Sequence, residues 1–141
     1  MSVVKFLKTD SEIVKAFQTV SRLRPHLNEK DFIATINRLK NNHDYHLVAV
    51  VENEEVTAVA GYRITESLAW GKYLYVDDLI TNEKFRKNGY AQVLWDWLVQ
   101  EAKDNHCQQF HLDSGVQRYD AHRFYLKNKL NITCHHFQMT L

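Results

Sequence analysis

Proline and glycine are scarce in this chain, one and four residues respectively, which leaves no material for a flexible linker or a low-complexity stretch. Cysteine is scarcer than a disulfide scaffold needs, because Cys107 and Cys134 are the only two and neither sits in a Cys-x-x-Cys pair. Both read as small apolar residues buried in a core. An excess of one charge is missing too. Eighteen Lys and Arg against seventeen Asp and Glu give a formal net charge of +1, so the balance does not attract nucleic acid and any anion site must be local. No apolar run nears the roughly 20 residues that span a bilayer, and Met1-Ser2-Val3-Val4-Lys5 lacks the basic then apolar layout of a signal peptide. The expectation is a cytoplasmic protein with no membrane partner. What is present suits one soluble domain over residues 1–141, with 45% hydrophobic and 25% charged residues.

The order of elements follows from periodicity. Val3 to Leu7 predicts a short strand, and Thr9 with Glu12 has the spacing of a capping box ahead of Ile13, Phe17 and Val20, a helix closed by Pro25. Asn28 starts a second helix carrying Phe32, Ile36 and Leu39 and ending at Asn41-Asn42. His46 to Glu52 and Val56 to Ile64 predict a hairpin around Asn53-Glu54-Glu55. Lys72 to Thr81 predicts a strand with Tyr73, Tyr75, Asp77 and Leu79 on one face and Leu74, Val76, Asp78 and Ile80 on the other. A helix over Gly89 to Asp104, a strand over Gln109 to Ser114, a helix over Tyr119 to Asn128 and a last strand over Ile132 to Leu141 complete the chain. A hairpin together with strand, helix, strand units implies an α/β (α+β) fold, a mixed, mostly antiparallel sheet with helices on both faces.

The segment from Thr81 to Gly89 joins an apolar strand to an amphipathic helix, where unpaired backbone N–H groups and the positive end of the helix dipole converge. Gly89 permits positive φ or close approach of a phosphate, small Ala91 keeps the first turn open, and Lys84, Arg86 and Lys87 add charge. A P-loop would need Gly-x-x-x-x-Gly-Lys followed by Ser or Thr, and a dinucleotide fingerprint three glycines; neither occurs. A βα turn with solvated charges is the structural alternative.

Arg86-x-x-Gly89-x-Ala91, after the strand Tyr75-Val76-Asp77-Asp78-Leu79-Ile80, resembles the acetyl-coenzyme A motif of the GNAT acetyltransferase superfamily. Leu112-Asp113-Ser114-Gly115 followed by Ala121-His122-Arg123-Phe124-Tyr125 is similar to that family's second cofactor segment, and the element order matches over nearly the whole chain. The resemblance implies that Arg86, Lys87, Asn88, Gly89, Tyr90, Ala91 and Gln92 meet the pyrophosphate. It further implies that Leu79, Ile80 and Thr81 offer backbone to the pantetheine where two strands splay, and that His122 touches the cofactor. The chain departs from the pattern after Tyr125, with Lys129-Leu130 where the family commonly has glycine and an apolar residue; Asn128 is expected to supply the left-handed conformation.

Transfer from a thioester to an amine needs a neutral nucleophile, stabilisation of an oxyanion and protonation of the departing thiolate. The resemblance makes Tyr125 the general acid, and a phenol with a pKa of roughly 10 suits that task. Asp77 and Asp78 are candidates for receiving the amine proton, with alternation sending only one of them into the substrate cleft, and strand-end hydrogen bonding as their structural alternative. Tyr73 and Tyr75 share the Asp77 face, the N–H of Leu79 is the oxyanion candidate, and Glu66 with the two aspartates favours a cationic acceptor. Cys134 and His136 share a strand face without a second ligand pair, so no metal is expected. The expected activity is N-acetyl transfer from acetyl-CoA to a small-molecule amine, with a protein lysine or N-terminus as second acceptor class, by a monomer or homodimer. The alternative is a non-catalytic acyl-CoA-binding sensor.

Overall fold

The computed structural model describes residues 2–141. The chain divides into two compact units, one running to His111 and the other Leu112–Leu141. The strands β1 (Val3–Phe6), β2 (Tyr45–Glu52), β3 (Glu55–Ser67), β4 (Gly71–Thr81) and β5 (Gln109–Leu112) form one sheet in the order β1-β2-β3-β4-β5. The pairings from β1 to β4 are all antiparallel. The hairpin turn holds Asn53 at φ 50 and Glu54 at φ 66, both positive, as a two-residue connection with the right-handed twist of its arms requires.

Alternation along β2 and β3 buries both faces of the sheet. Tyr45, Leu47, Ala49 and Val59 face one way, against Ile13, Ala16, Val20, Phe32 and Ile36 from α1 (Asp10–Lys15), α2 (Phe17–Leu23) and α3 (Glu29–His43). The opposite face, with Tyr62, is covered by α4 (Tyr90–Asp104), which brings Trp97 to 6.1 Å from the Tyr62 ring and Glu101 Oε2 to 2.6 Å from the Tyr62 hydroxyl. Helices therefore cover both faces. The capping box is present, with Glu12 N–H donating to Thr9 Oγ1 at 3.2 Å and Thr9 N–H to Glu12 Oε1 at 3.0 Å. The first expected helix is two, separated at Ala16, and α3 runs to His43, past Asn41-Asn42, where Asp44 adopts a left-handed cap at φ 52.

The second unit holds α5 (Tyr119–Lys127). Two expectations fail there. Ile132 to Leu141 belongs to no strand and every residue of it is exposed, because strand-like patterning becomes a strand only when a ladder partner is beside it. Cys134 lies in that segment and is exposed rather than buried, while Cys107 in the first unit is half-buried, with burial raising its thiol pKa. Both cysteines are free.

Candidate active site

The two acids of β4 do not alternate. Gly61 stands opposite Asp78 and Tyr62 opposite Val76, which makes Asp77 an extra residue on β4, a β-bulge. The bulge turns both carboxylates to one side. Asp77 accepts two bonds from Arg63, Nε to Oδ2 at 2.8 Å and Nη2 to Oδ1 at 2.9 Å, and Arg63 pairs in register with Tyr45. Tyr45 in turn donates its hydroxyl to Asp78 Oδ2 at 2.8 Å, so Asp77 and Asp78 share the face of Tyr45. The expectation that only one acid faces that side is thus overturned by one inserted residue.

Arg24, just beyond α2, fastens the bulge: its Nε donates to Asp78 Oδ1 at 3.0 Å and its Nη2 to the Asp77 carbonyl at 2.9 Å. Tyr45 is 5% exposed, and burial, followed by the charge of Asp78, holds its phenol pKa well above the ordinary value. Its ring lies over Gly61, where an added Cβ would overlap the phenol oxygen. Sequence reasoning missed Arg24, Tyr45, Gly61 and Arg63; the one available signal was Gly61 inside an otherwise β-branched arm. Tyr73 and Tyr75 lie on the Arg63 face, with the guanidinium 5.2 Å from the Tyr75 ring centre. Trp70 stacks on His111 at 3.6 Å, with Tyr73 edge-on to both. Glu66 alternates to the opposite face and is exposed, away from these acids.

Beyond the bulge, Leu79, Ile80 and Thr81 pair with Ala60, Val59 and Ala58 of β3. On the other side of β4, Gln108 N–H donates to the Lys72 carbonyl at 2.7 Å and fixes where β5 begins. Four residues of β5 extend roughly 13 Å, whereas Lys72 and Leu79 lie roughly 23 Å apart along β4 at about 3.3 Å per residue. The Leu79–Thr81 end of β4 therefore projects past the four residues of β5.

The chain then makes a single 3₁₀ turn, Glu83–Phe85, capped at its start by Lys84 N–H donating to Asn82 Oδ1 at 3.1 Å. Asn88 Nδ2 donates to the Phe85 and Arg86 carbonyls at 3.0 and 3.1 Å, which tightens the loop from within. Lys87 at φ 66 and Gly89 at φ 80 are both left-handed, and Gly89 is the N-cap of α4 with no side chain capping the helix. Amides in the first turn of such a helix have no intrahelical acceptor. An added Cβ at Gly89 meets nothing within 4 Å, so the space beside the start of the helix is open on the side where a side chain would stand. Arg86 and Lys87 belong to this loop, Arg86 with its Nη2 3.9 Å from Glu83 Oε1, and Lys84 is turned to Glu55 at 3.1 Å.

In the second unit, His122 of α5 uses Nε2 to hold the Gly115 carbonyl at 2.8 Å, tying the helix to the loop before it. Tyr125 is half-buried, and burial raises its phenol pKa while Arg118 pulls it down. The helix ends in a Schellman motif, with Leu130 N–H donating to the Tyr125 carbonyl at 3.1 Å and Lys129 N–H to the Leu126 carbonyl at 3.0 Å. Lys129, at φ 69, supplies the left-handed residue; Asn128, at φ −85, does not. Among the described residues no three His, Cys, Asp or Glu side chains gather as a metal-binding group, and no helix is long and apolar enough to cross a membrane.

Residues 11–129 match the Acetyltransferase (GNAT) family, and the chain belongs to it. Among curated proteins it is 30% identical over 122 residues, 86% of each chain, to the uncharacterized N-acetyltransferase YhdJ of Bacillus subtilis (strain 168). Among solved structures its fold is similar to that of a transcriptional regulator from Bacillus halodurans C-125, with TM-score 0.88, 18% identity and full coverage of both chains. It is similar as well to AAC(6')-Iy in complex with the bisubstrate analogue CoA-S-monomethyl-acetylneamine, with TM-score 0.84, 9% identity and coverage of 100% of this chain and 98% of that one. The family establishes an acetyltransferase with a mixed α/β fold built on a mostly antiparallel sheet.

Proposed function

We propose that this acetyltransferase takes its acetyl group from acetyl-CoA and passes it directly to the amine of a small molecule. The observation that carries the proposal is the uncapped start of α4, where Gly89 at φ 80 opens onto unfilled space beside the loop amides. Those amides, with Arg86 and Lys87, would hold the pyrophosphate. The projecting strand end at Leu79, Ile80 and Thr81 would pair with the amides of the pantetheine arm. The N–H of Leu79, directly after the bulge, is the candidate donor to the oxyanion that forms as the amine attacks the thioester.

Tyr125 is assigned as the acid that protonates the departing thiolate, on its match to the family motif and on the ordinary acidity of a phenol, which burial raises further. Asp77 and Asp78 already accept bonds from Arg63, Arg24 and Tyr45, which favours a positioning role. They lock the bulge and hence the Leu79 amide. Their charges are matched locally and Glu66 lies on the other face, so a cationic acceptor loses its support; Tyr73 and Tyr75 leave a half-buried aromatic wall suited to a neutral or apolar amine carrier.

A Tyr125→Phe variant tests the chemistry. An enzyme using this phenol should lose about 10²-fold or more in kcat while binding CoA as before. The second reading, an acyl-CoA-binding sensor, draws on the similarity to a protein described as a transcriptional regulator, and a sensor would be indifferent to the change. Thiol release from acetyl-CoA across a panel of amines and peptides separates small-molecule from protein acceptors.

A further inference from the structure

We propose that Arg24 is a positioning residue for the transfer step: its guanidinium fixes the bulge of β4 and so aims the Leu79 amide at the oxyanion. The inference rests on the acetyl-transfer reading proposed above. The extra residue of a β-bulge leaves ladder groups without a strand partner. In β4 that residue is Asp77, set between the Gly61–Asp78 and Tyr62–Val76 pairs. Its carbonyl accepts from Arg24 Nη2 at 2.9 Å, while Arg24 Nε donates to Asp78 Oδ1 at 3.0 Å. One guanidinium thus grips the backbone of the inserted residue and the side chain of the next.

Charge pairing alone would not need the bond to the carbonyl. The Asp77 carboxylate already accepts from Arg63 at 2.8 and 2.9 Å, and Asp78 Oδ2 from the Tyr45 hydroxyl at 2.8 Å. What Arg24 adds is a hold on the Asp77–Asp78 peptide plane. The N–H of Leu79 belongs to the next plane, and the two are joined only through the soft dihedrals of Asp78, so a rotation of the first carries over to the second. Arg24 is itself held where α2 ends. Its N–H donates to the Val20 carbonyl at 2.9 Å and its carbonyl accepts from Leu27 N–H at 3.1 Å. Pro25, the one proline of the chain, disfavours helical backbone at the residue before it, and Arg24 has left the helix at φ −124 and ψ 74. The guanidinium therefore reaches β4 from a fixed start, more than fifty positions away in the chain.

Arg24→Gln and Arg24→Lys test this in the full-length protein, by steady-state kinetics with the amine of the panel that wild type acetylates fastest, by calorimetric CoA binding and by amide NMR. Misplacing a group at the reacting centre by about 1 Å costs on the order of 10²-fold, so both variants should lose about 10–10²-fold in kcat. The KM for the amine and the affinity for CoA should stay within about 2-fold of wild type. Lysine should fail along with glutamine, because a compact ammonium on a flexible stem does not reproduce the fixed planar geometry of a guanidinium. The Asp78 and Leu79 amide resonances should move in both variants, with unchanged far-UV circular dichroism. A wild-type kcat in either variant overturns the proposal; in Arg24→Lys it would mean that charge alone suffices. A raised amine KM at constant kcat also overturns it, since Arg24 would then touch the acceptor, and so does CoA affinity that falls with kcat or a Leu79 resonance that stays in place. No turnover of any amine by wild type would instead sink the acetyl-transfer reading, and the Leu79 resonance would still decide whether Arg24 sets that amide.

Discussion

Replacing Gly61 by alanine forces a Cβ into the phenol of Tyr45, which lies across the glycine to reach Asp78. Gly61 is in the middle of β3 and Tyr45 is buried at 5% exposure, so the ring has no solvent to swing into. Two costs are expected. Overfilling a packed site costs about 1–3 kcal/mol. Displacing the hydroxyl from Asp78 Oδ2 also forfeits a 2.8 Å bond to a carboxylate, about 1.5–3 kcal/mol for a charged acceptor. Arg24 still holds the other carboxylate oxygen at 3.0 Å, which keeps the loss below that of an uncompensated charge. The sum is about 2.5–6 kcal/mol, read as a fall in urea midpoint at constant slope. Tyr45→Phe alone should lose only the hydrogen bond, about 1.5–3 kcal/mol. In the double variant the bond is already gone, so the second change should cost less than it does alone, with a coupling of about 1.5–3 kcal/mol. A Gly61→Ala protein within about 0.5 kcal/mol of wild type, or strictly additive changes, would refute the claim that Gly61 exists to seat this ring.

Lys129→Gly should raise stability by about 0.5–1 kcal/mol, since a lysine at φ 69 carries a left-handed penalty of about 1–2 kcal/mol that glycine escapes at some entropic cost; thermal or urea denaturation reads the gain, and a loss would contradict the Schellman assignment. Above about pH 10 stability should fall steeply, because burial holds Tyr45 and Tyr62 protonated in the fold while the unfolded chain ionises both near its ordinary phenol pKa. The sign is that of a raised folded pKa: stability is complete below the unfolded value and declines as pH rises towards the folded one, by up to about 1.4 kcal/mol per pH unit per tyrosine. Tyr45→Phe should flatten the decline in alkaline urea titrations. Thr9→Ala should cost about 1 kcal/mol by removing the α1 capping box, measurable by the same titration.

Most elements were legible in the sequence because their signals are local. Thr9 and Glu12 cap α1, Asn28 caps α3 and the stripe Leu94, Leu98 and Ala102 faces the sheet, each through residues within a few positions of one another. The glycine-started helix was legible for the same reason, since Gly89 and the start of α4 are adjacent. The acids were not, because strand alternation assumes an unbroken ladder, and the bulge at Asp77 is set by how β3 and β4 register against each other. Arg24 lies more than fifty positions from its partners Asp77 and Asp78, so no local pattern joins them. The last expected strand failed through the same gap between pattern and partner: Ile132 to Leu141 has the composition of a strand, but pairing is a property of two segments.

Coenzyme A titrated calorimetrically into wild type and into Gly89→Ala tests the central claim most directly. Alanine at Gly89 touches nothing within 4 Å in the fold and carries only the cost of φ 80, and in the proposed binding mode its methyl group would crowd the pyrophosphate. Saturable binding by wild type with at least about 10-fold weaker binding by a still folded variant, a loss of about 1.4 kcal/mol, is the predicted result. Equal affinity for both proteins, or no binding by wild type, would contradict it.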